Sequence, residues 1–266
     1  MKIATITRNP AHSPNMLEND TAMLYCIEQE LIAIGHNVTR LNEEDELCGY
    51  DVICHMSRSE KTLQRLKKAE ANGCRVINSP QAIENCSRTR LMGILQESNI
   101  QQPQYNILQG CNIPGTLEYP GWVKKGKGWS QRKEDVVYVT NADEAATAVA
   151  NINGCAIYCK HIEGDIVKFY GVKNFFFTYS YPNPQKTKFG WETVNGVAKR
   201  YPFDKEILKN TVFNAAKAIG LEIYGGDCII TPKGEIYIID FNDFPSFSAV
   251  RQEAAKEIIK LVIEKR

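Results

Sequence analysis

Residues 225–247, GGDCIITPKGEIYIIDFNDFPSF, decide how this chain is read. Residues 228–231 and 235–241 are β-branched or aromatic runs, and Pro232, Lys233 and Gly234 between them supply the chemistry of a tight turn, so a two-stranded hairpin is predicted. Asp227 then stands where the first strand begins and Asp240 where the second ends. Period-two alternation puts Asn242 on the same face as Asp240. Two carboxylates and one amide are hard oxygen donors of the kind that hold Mg²⁺ or Mn²⁺, with waters or substrate phosphates completing the shell. The plainer alternative for one hairpin taken alone is a turn capped by Asp227, followed by an ordinary loop through Asn242, Asp243 and Pro245.

The rest of the chain narrows the choice. Its 266 residues, 43% hydrophobic and 24% charged, suffice for a sizeable core and for two or three lobes. A formal charge of +1 provides no overall basic field for nucleic acid or a membrane surface, so any polyanion has to be met locally. Nine cysteines form no C-x-x-C pair and no zinc spacing, and several sit inside apolar runs, as Cys54 does in DVICHM. They read as small buried hydrophobes in a reducing compartment. No apolar run approaches a membrane span and the first residues do not resemble a signal peptide, so a cytoplasmic location is expected.

Residues 1–80 alternate strand and helix: strands over 2–7, 37–41, 51–56 and 74–78, helices over 17–34 and 61–71, with Gly35 and Gly73 as stops. That order predicts a small parallel sheet with right-handed crossovers. Ligands of such sheets gather beyond the carboxyl ends of the strands. The loops 8–15 and 57–59, with Arg8 and Arg58, are therefore either substrate contacts or solvated charges. A helix over 83–97 follows Pro80. The most basic stretch is 121–133, GWVKKGKGWSQRK, a strand running into a glycine- and lysine-rich loop suited to closing over phosphates, or else a solvated charged loop. A helix capped by Asn141 or Asp143 comes next, then the run 156–172, an aromatic strand over 175–181, a loop with Lys199 and Arg200 beyond Trp191 and Glu192, and an amphipathic helix over 204–221. Ser246–Ser248 and Arg251 open a final helix over 249–264, whose N-terminus suits an anionic group.

G-x-D, then D-x-N and a proline-containing loop, together with VINSPQAIENCSRTRLMGILQESNIQQPQY over 76–105, resemble the ATP-grasp carboxylate-amine ligases. The blocks, in order, cover roughly residues 76–248. The resemblance implies an α/β protein of ATP-grasp fold with an N-terminal Rossmann-like parallel domain (1–80), a small lobe (81–160) and a C-terminal lobe carrying the metal site (161–266). It also implies ATP as cofactor. Asp227, Asp240 and Asn242 would be the metal ligands, with Arg88 standing where family members place a phosphate-binding Lys. Lys124 or Lys125 would lie at the end of the phosphate-covering strand. Lys160, His161 and Ile162 would form the hinge that reads the adenine edge, and Glu163 would hold the ribose. Lys168 would be directed at the phosphates, and Arg251 would lie near the acyl-phosphate site; these two are the expected catalytic cations. His161 is expected to be structural, since the family uses backbone there.

The implied reaction is ADP-forming ligation of a carboxylate to an amine through an acyl phosphate, in a site that works by positioning and electrostatics. The segments VKFYGV and DFNDFPSF are also similar to the inositol trisphosphate kinases, which leaves phosphoryl transfer to a hydroxyl as the alternative. Expected partners are a small molecule bearing a carboxylate or hydroxyl and, as a further possibility, a second copy of the chain.

Overall fold

Three four-stranded sheets carry the chain in a computed structural model that describes residues 1–13, 16–110, 113–183 and 191–264. The expected loop over 8–15 thus extends at Pro14 and Asn15 outside the described residues. The first sheet is parallel, in the order β2 (Asn37–Leu41), β1 (Lys2–Ile6), β3 (Val52–His55) and β4 (Arg75–Ile77). On one face α2 (Glu60–Ala71) buries Leu63 and Leu66 against Ala4, Ile6, Ile53 and Val76. On the other, α1 (Leu17–Ala33) and the last helix, α7 (Arg251–Ile263), pack together, with Met23, Leu24, Ile27 and Leu31 meeting Ala254, Ala255, Ile258 and Leu261. The parallel sheet therefore receives one of its two layers from the end of the chain.

The two other sheets are antiparallel. One has the order β5 (Tyr105–Leu108), β8 (Ala156–Lys160), β6 (Gly121–Lys125) and β7 (Val136–Val139), and α5 (Ala142–Ala150) covers one face through Ala145, Ala148 and Val149. The other has the order β10 (Phe176–Ser180), β9 (Asp165–Val172), β11 (Ile223–Ile230) and β12 (Ile236–Asn242). Its core face, with Val167, Phe169, Cys228, Ile238 and Phe241, packs on α6 (Lys205–Ile219) and on α3 (Pro80–Asn85) and α4 (Arg88–Glu97). Asp204 caps α6 by accepting from two backbone N–H groups, and Gly220 at φ +90° ends it, as its sequence signals predict.

Several local expectations are adjusted. The helix read over 83–97 is two helices, because the chain breaks at Cys86 and Ser87 before α4 restarts. The run 156–172 is split into β8 and β9 by a turn in which Gly164 lies at φ +156°, where an added Cβ would stand 2.3 Å from the Ile230 carbonyl oxygen. The final helix starts at Arg251 rather than at residue 249. Most important for the site, β11 starts at Ile223, so Asp227 lies inside a strand that is paired on both sides rather than at its entrance. The edge strands β5 and β7, four residues each, carry too little alternation to be read from sequence.

Gly226 faces the core one residue before Asp227. A Cβ there would lie 2.3 Å from the Asp240 backbone oxygen and 2.5 Å from Phe169 Cζ. Gly226→Ala is expected to destabilise the protein by roughly 1–3 kcal/mol through overpacking, seen as a lower urea midpoint with an unchanged slope. An unaltered midpoint would show that the strands leave room for a side chain there.

Candidate active site

A cleft lies between the two antiparallel sheets, and one half of its lining differs chemically from the other. Pro103, Trp122, Val136, Cys159, Ile166, Ile229 and Ile239 make an apolar slot. Arg88, Lys124, Asp227 and Asp240 line the remainder. Strand alternation explains the division: on β6, Trp122 and Lys124 point into the cleft, whereas Lys125 points to the opposite side. Of the two, Lys124 is the one that faces the cleft; it is buried and donates to the Ile239 carbonyl oxygen at 3.3 Å.

A row of charged side chains crosses the floor of the cleft through Arg88, Asp240 and Asp227 and ends beyond its lining at Lys168. Lys168 and Asp227 are direct cross-strand partners, with Nζ 3.0 Å from Oδ1. Asp227 in turn lies opposite Asp240 on β12. Arg88 closes the row with Nη2 3.1 Å from Asp240 Oδ2, while its Nη1 donates to the Lys125 carbonyl oxygen and Ser130 Oγ. The Asp227 and Asp240 side chains are 22% and 25% exposed, so both acids remain open to the cleft. Each like charge is thus neutralised by a cation on its outer side. Asn242 follows two residues beyond Asp240 on the same strand, opposite Gly225.

The hinge expected over 160–162 lines the cleft. The Lys160 N–H donates to the Gln104 carbonyl oxygen and the His161 N–H to that of Pro120, whereas the Ile162 N–H has no hydrogen-bond partner among the described residues. Lys160 Nζ pairs with Glu118. His161 accepts at Nδ1 from Trp122 Nε1 at 3.1 Å, which places its own ring proton on Nε2, and burial pushes its pKa down. Its ring packs against Trp122 and Tyr138. Glu163 is exposed and does not line the cleft. Asn195 does, donating to the carbonyl oxygens of Ile162 and Gly164; no local pattern singles it out. Arg251 also lies apart from the cleft lining, with Nη2 bound to Asn19 on α1 at 3.1 Å.

Beneath the β11–β12 hairpin, the loops Arg8 and Arg58 belong to meet Asp243, which is fully buried. Arg58 clasps Oδ1 through Nε (2.8 Å) and Nη2; Arg8 Nη1 lies 3.6 Å from Oδ2, and its Nη2 donates to the Phe244 carbonyl oxygen at 2.7 Å. Both arginines therefore serve as anchors for this loop rather than as free surface charges. Burial alone would raise the Asp243 pKa, but the charges of Arg58 and Arg8 outweigh it and hold the acid below the usual aspartate value. Asn78, just past β4, donates to the backbone oxygens of Asp243 and Ile223 and accepts from the N–H groups of Glu222 and Ile223. His55 binds the Asn78 oxygen through Nε2, accepts from the Ser57 N–H at Nδ1, and is driven by burial to a pKa of about 4.

No protein-family model matches the sequence, and a search of curated proteins finds no match. Solved structures do match in shape. A D-alanine–D-alanine ligase from Bacillus anthracis complexed with ATP superimposes with a TM-score of 0.73 at 12% identity, over 99% of this chain and 96% of that one. A D-Ala:D-Ser ligase from Enterococcus faecalis gives 0.73 at 13% identity over 98% and 99%, and a D-alanine–D-alanine ligase from Coxiella burnetii 0.72 at 12% over 99% and 95%. The chain has the ATP-grasp fold. Coverage of nearly the full length on both sides includes the parallel first sheet, so the ATP-grasp architecture extends well beyond the hairpin and its neighbours.

Asp243→Asn is expected to cost on the order of 3–5 kcal/mol at neutral pH, because it leaves the Arg58 guanidinium without its carboxylate and leaves Arg8 with Asp20, 3.0 Å away, as its remaining acid. Its effect should shrink in acid. In the native protein Asp243 contributes stability that is complete above the ordinary aspartate pKa, about 4, and is lost as pH falls through its lower native value. His55 acts in a separate window: between about 6.5 and about 4 the unfolded chain takes up a proton that the folded chain refuses, so stability falls as pH falls. Urea unfolding across pH should show the variant keeping the upper window and losing the lower one; identical profiles would remove Asp243 from this role.

Proposed function

We propose that this protein is an ATP- and Mg²⁺-dependent ligase that joins a carboxylate to an amine through an acyl phosphate, releasing ADP and phosphate. The row Lys168, Asp227, Asp240, Arg88 at the polar end of a half-apolar cleft carries the reading. An apolar slot beside a vacant backbone donor suits a flat heteroaromatic base, and Trp122, Ile166, Ile229 and the Ile162 N–H supply both. Lys124 and Arg88 lie where the phosphates of a nucleotide seated in that slot would run.

The donor set fits a hard divalent cation. Among the described residues no three His, Cys, Asp or Glu side chains cluster to form an all-protein cage. Two partly open carboxylates and the Asn242 amide suit Mg²⁺, which takes one or two carboxylates and leaves its other positions to phosphate and water. When bound, the metal would neutralise phosphate charge and draw electron density from the transferring phosphorus. The protein's own part is an exchange of partners. Lys168 and Arg88 balance the two acids before binding; a metal–triphosphate brings both a cation for Asp227 and Asp240 and anionic oxygens for Lys168, Arg88 and Lys124. Each of these side chains would therefore keep a partner of opposite sign on binding, which limits the desolvation penalty.

The matched structures are ligases, which supports the carboxylate–amine reaction, and the kinase-like reading gains no support from them. The expected assignment of lobes to 1–80, 81–160 and 161–266 belongs to the same proposal, as does a cytoplasmic location. The described cysteines are all unpaired, and no helix among the described residues is long and apolar enough to cross a membrane.

Asp240→Asn removes one charge and almost no volume, so folding should persist while turnover falls by roughly 100-fold or more. The assay is ADP and phosphate release across amino acid and hydroxy acid mixtures, with product mass identifying the joined pair. Full activity of the variant would exclude Asp240 from the site; a γ-phosphate retained on an organic product would replace the ligase with a kinase.

A further inference from the structure

On the other side of the strand and helix that bear Lys124 and Arg88 lies a second, larger depression of about 810 Å³. Its walls are the start of α2, the α3–α4 turn and the loop after β6. The alternation that turns Lys124 into the nucleotide cleft turns Lys125 into this groove, and Arg90 and Lys127 join it there. Trp129 closes one end, with the Arg58 guanidinium 5.1 Å from its ring centre and His12 edge-on to it.

The charges in the groove are not balanced. Glu84 is shared by Lys67 at 2.6 Å and Arg90 at 3.1 Å, and Glu60 is the other lining acid. Arg58 is neutralised from behind by Asp243. Among the described residues Lys125 and Lys127 make no ion pair, so Lys67, Arg90, Lys125 and Lys127 exceed the two acids by two charges in a chain whose overall charge is +1. Ser87 adds a neutral donor: it occupies the N-cap position of α4, yet its side chain caps no backbone N–H. A concave wall of one sign focuses field into the cavity and selects counter-charge of matching extent.

We propose that this groove is a binding site for a small polyanion, a molecule with at least two carboxylate or phosphate groups, gripped by Lys125, Lys127 and Arg90 and flanked by Trp129. The site is separate from the nucleotide cleft, and its occupancy does not depend on the ligase reading. Ser130, in the loop that roofs the groove, also holds Arg88, so an anion in the groove contacts the same loop that borders the nucleotide cleft.

The full chain, without nucleotide or metal, is titrated with tricarballylate and separately with pyrophosphate, followed by calorimetry and tryptophan emission. At least one probe should bind saturably and change an emission signal that Trp129→Phe abolishes. Lys127→Glu should weaken that binding by about tenfold or more, as expected for loss of a charge-assisted contact and its reversal. Arg90→Ala, at a second exposed position, should weaken it as well, and circular dichroism checks that both variants are folded. Response to tricarballylate alone identifies a carboxylate ligand, and response to pyrophosphate alone a phosphate ligand. Absence of binding by either probe overturns the proposal. Binding that neither Lys127→Glu nor Arg90→Ala weakens overturns it too, since the anion would then lie elsewhere.

Discussion

A carboxylate with no solvent exposure holds this molecule's site to its scaffold. Asp243 could not remain ionised in that position alone; the two guanidinium groups of Arg8 and Arg58 make it tolerable, and in doing so they bring together the ends of β1, β3 and β12. Arg8 and the Phe244 carbonyl oxygen that it also holds are 236 residues apart in sequence. Asn78 adds an uncharged clamp from the end of β4, and Phe244 and Phe247 insert into the core beneath the parallel sheet. Asp240 and Asn242 immediately precede this anchor, so the residues that would meet a metal are positioned by a part of the chain that does not line their cleft. A pairing of this kind contributes less to net stability than to uniqueness, because any slip of the loop would leave charges buried and unmatched.

The floor of the cleft follows a related electrostatic rule with the opposite outcome. Its charges are only partly buried and lie in the order cation, acid, acid, cation, so in the proposed reaction each would find a substitute partner in a metal–triphosphate. Asp243, sealed from water, has no such exchange open to it. Burial is what separates the sealed pairs of Asp243 from the open pair of Asp240, even though the first acid lies just past the end of β12 and the second within it.

Much of this was legible in the sequence because it is local. The hairpin turn, the amphipathic α6 with its Asp204 cap and Gly220 stop, the alternating strands and helices of the first sheet, and the acids at 227 and 240 all lie within short windows whose period betrays them. What was not legible depends on contacts between distant windows. Trp122 reads as a strand residue until β6 is placed against the third sheet. Asn195 sits in a loop with no periodic signal, and its importance comes from two carbonyl groups more than thirty positions earlier. Resemblance alone points to Glu163 and Arg251; the first faces solvent and the second is tied to Asn19, contacts that spacing along the chain cannot foretell.

One feature of the hairpin was present in the sequence as a contradiction. In IYIIDFN, Ile236 and Ile238 are core residues, and strict alternation would send Asp240 and Asn242 into the core with them. Phe241, an odd-numbered position, is buried instead. Both facts hold only if the strand changes parity between 238 and 241, and the register does shift there: Asp227 pairs with Asp240, while Cys228 pairs with Ile238. The bulge leaves Ile239 as the extra residue, which turns it toward the cleft beside Asp240, one supplying apolar wall and the other charge. A regular strand could have kept its hydrophobic face or presented Asp240 to the cleft, but not both; the irregularity is what lets one short segment serve the core and the site together.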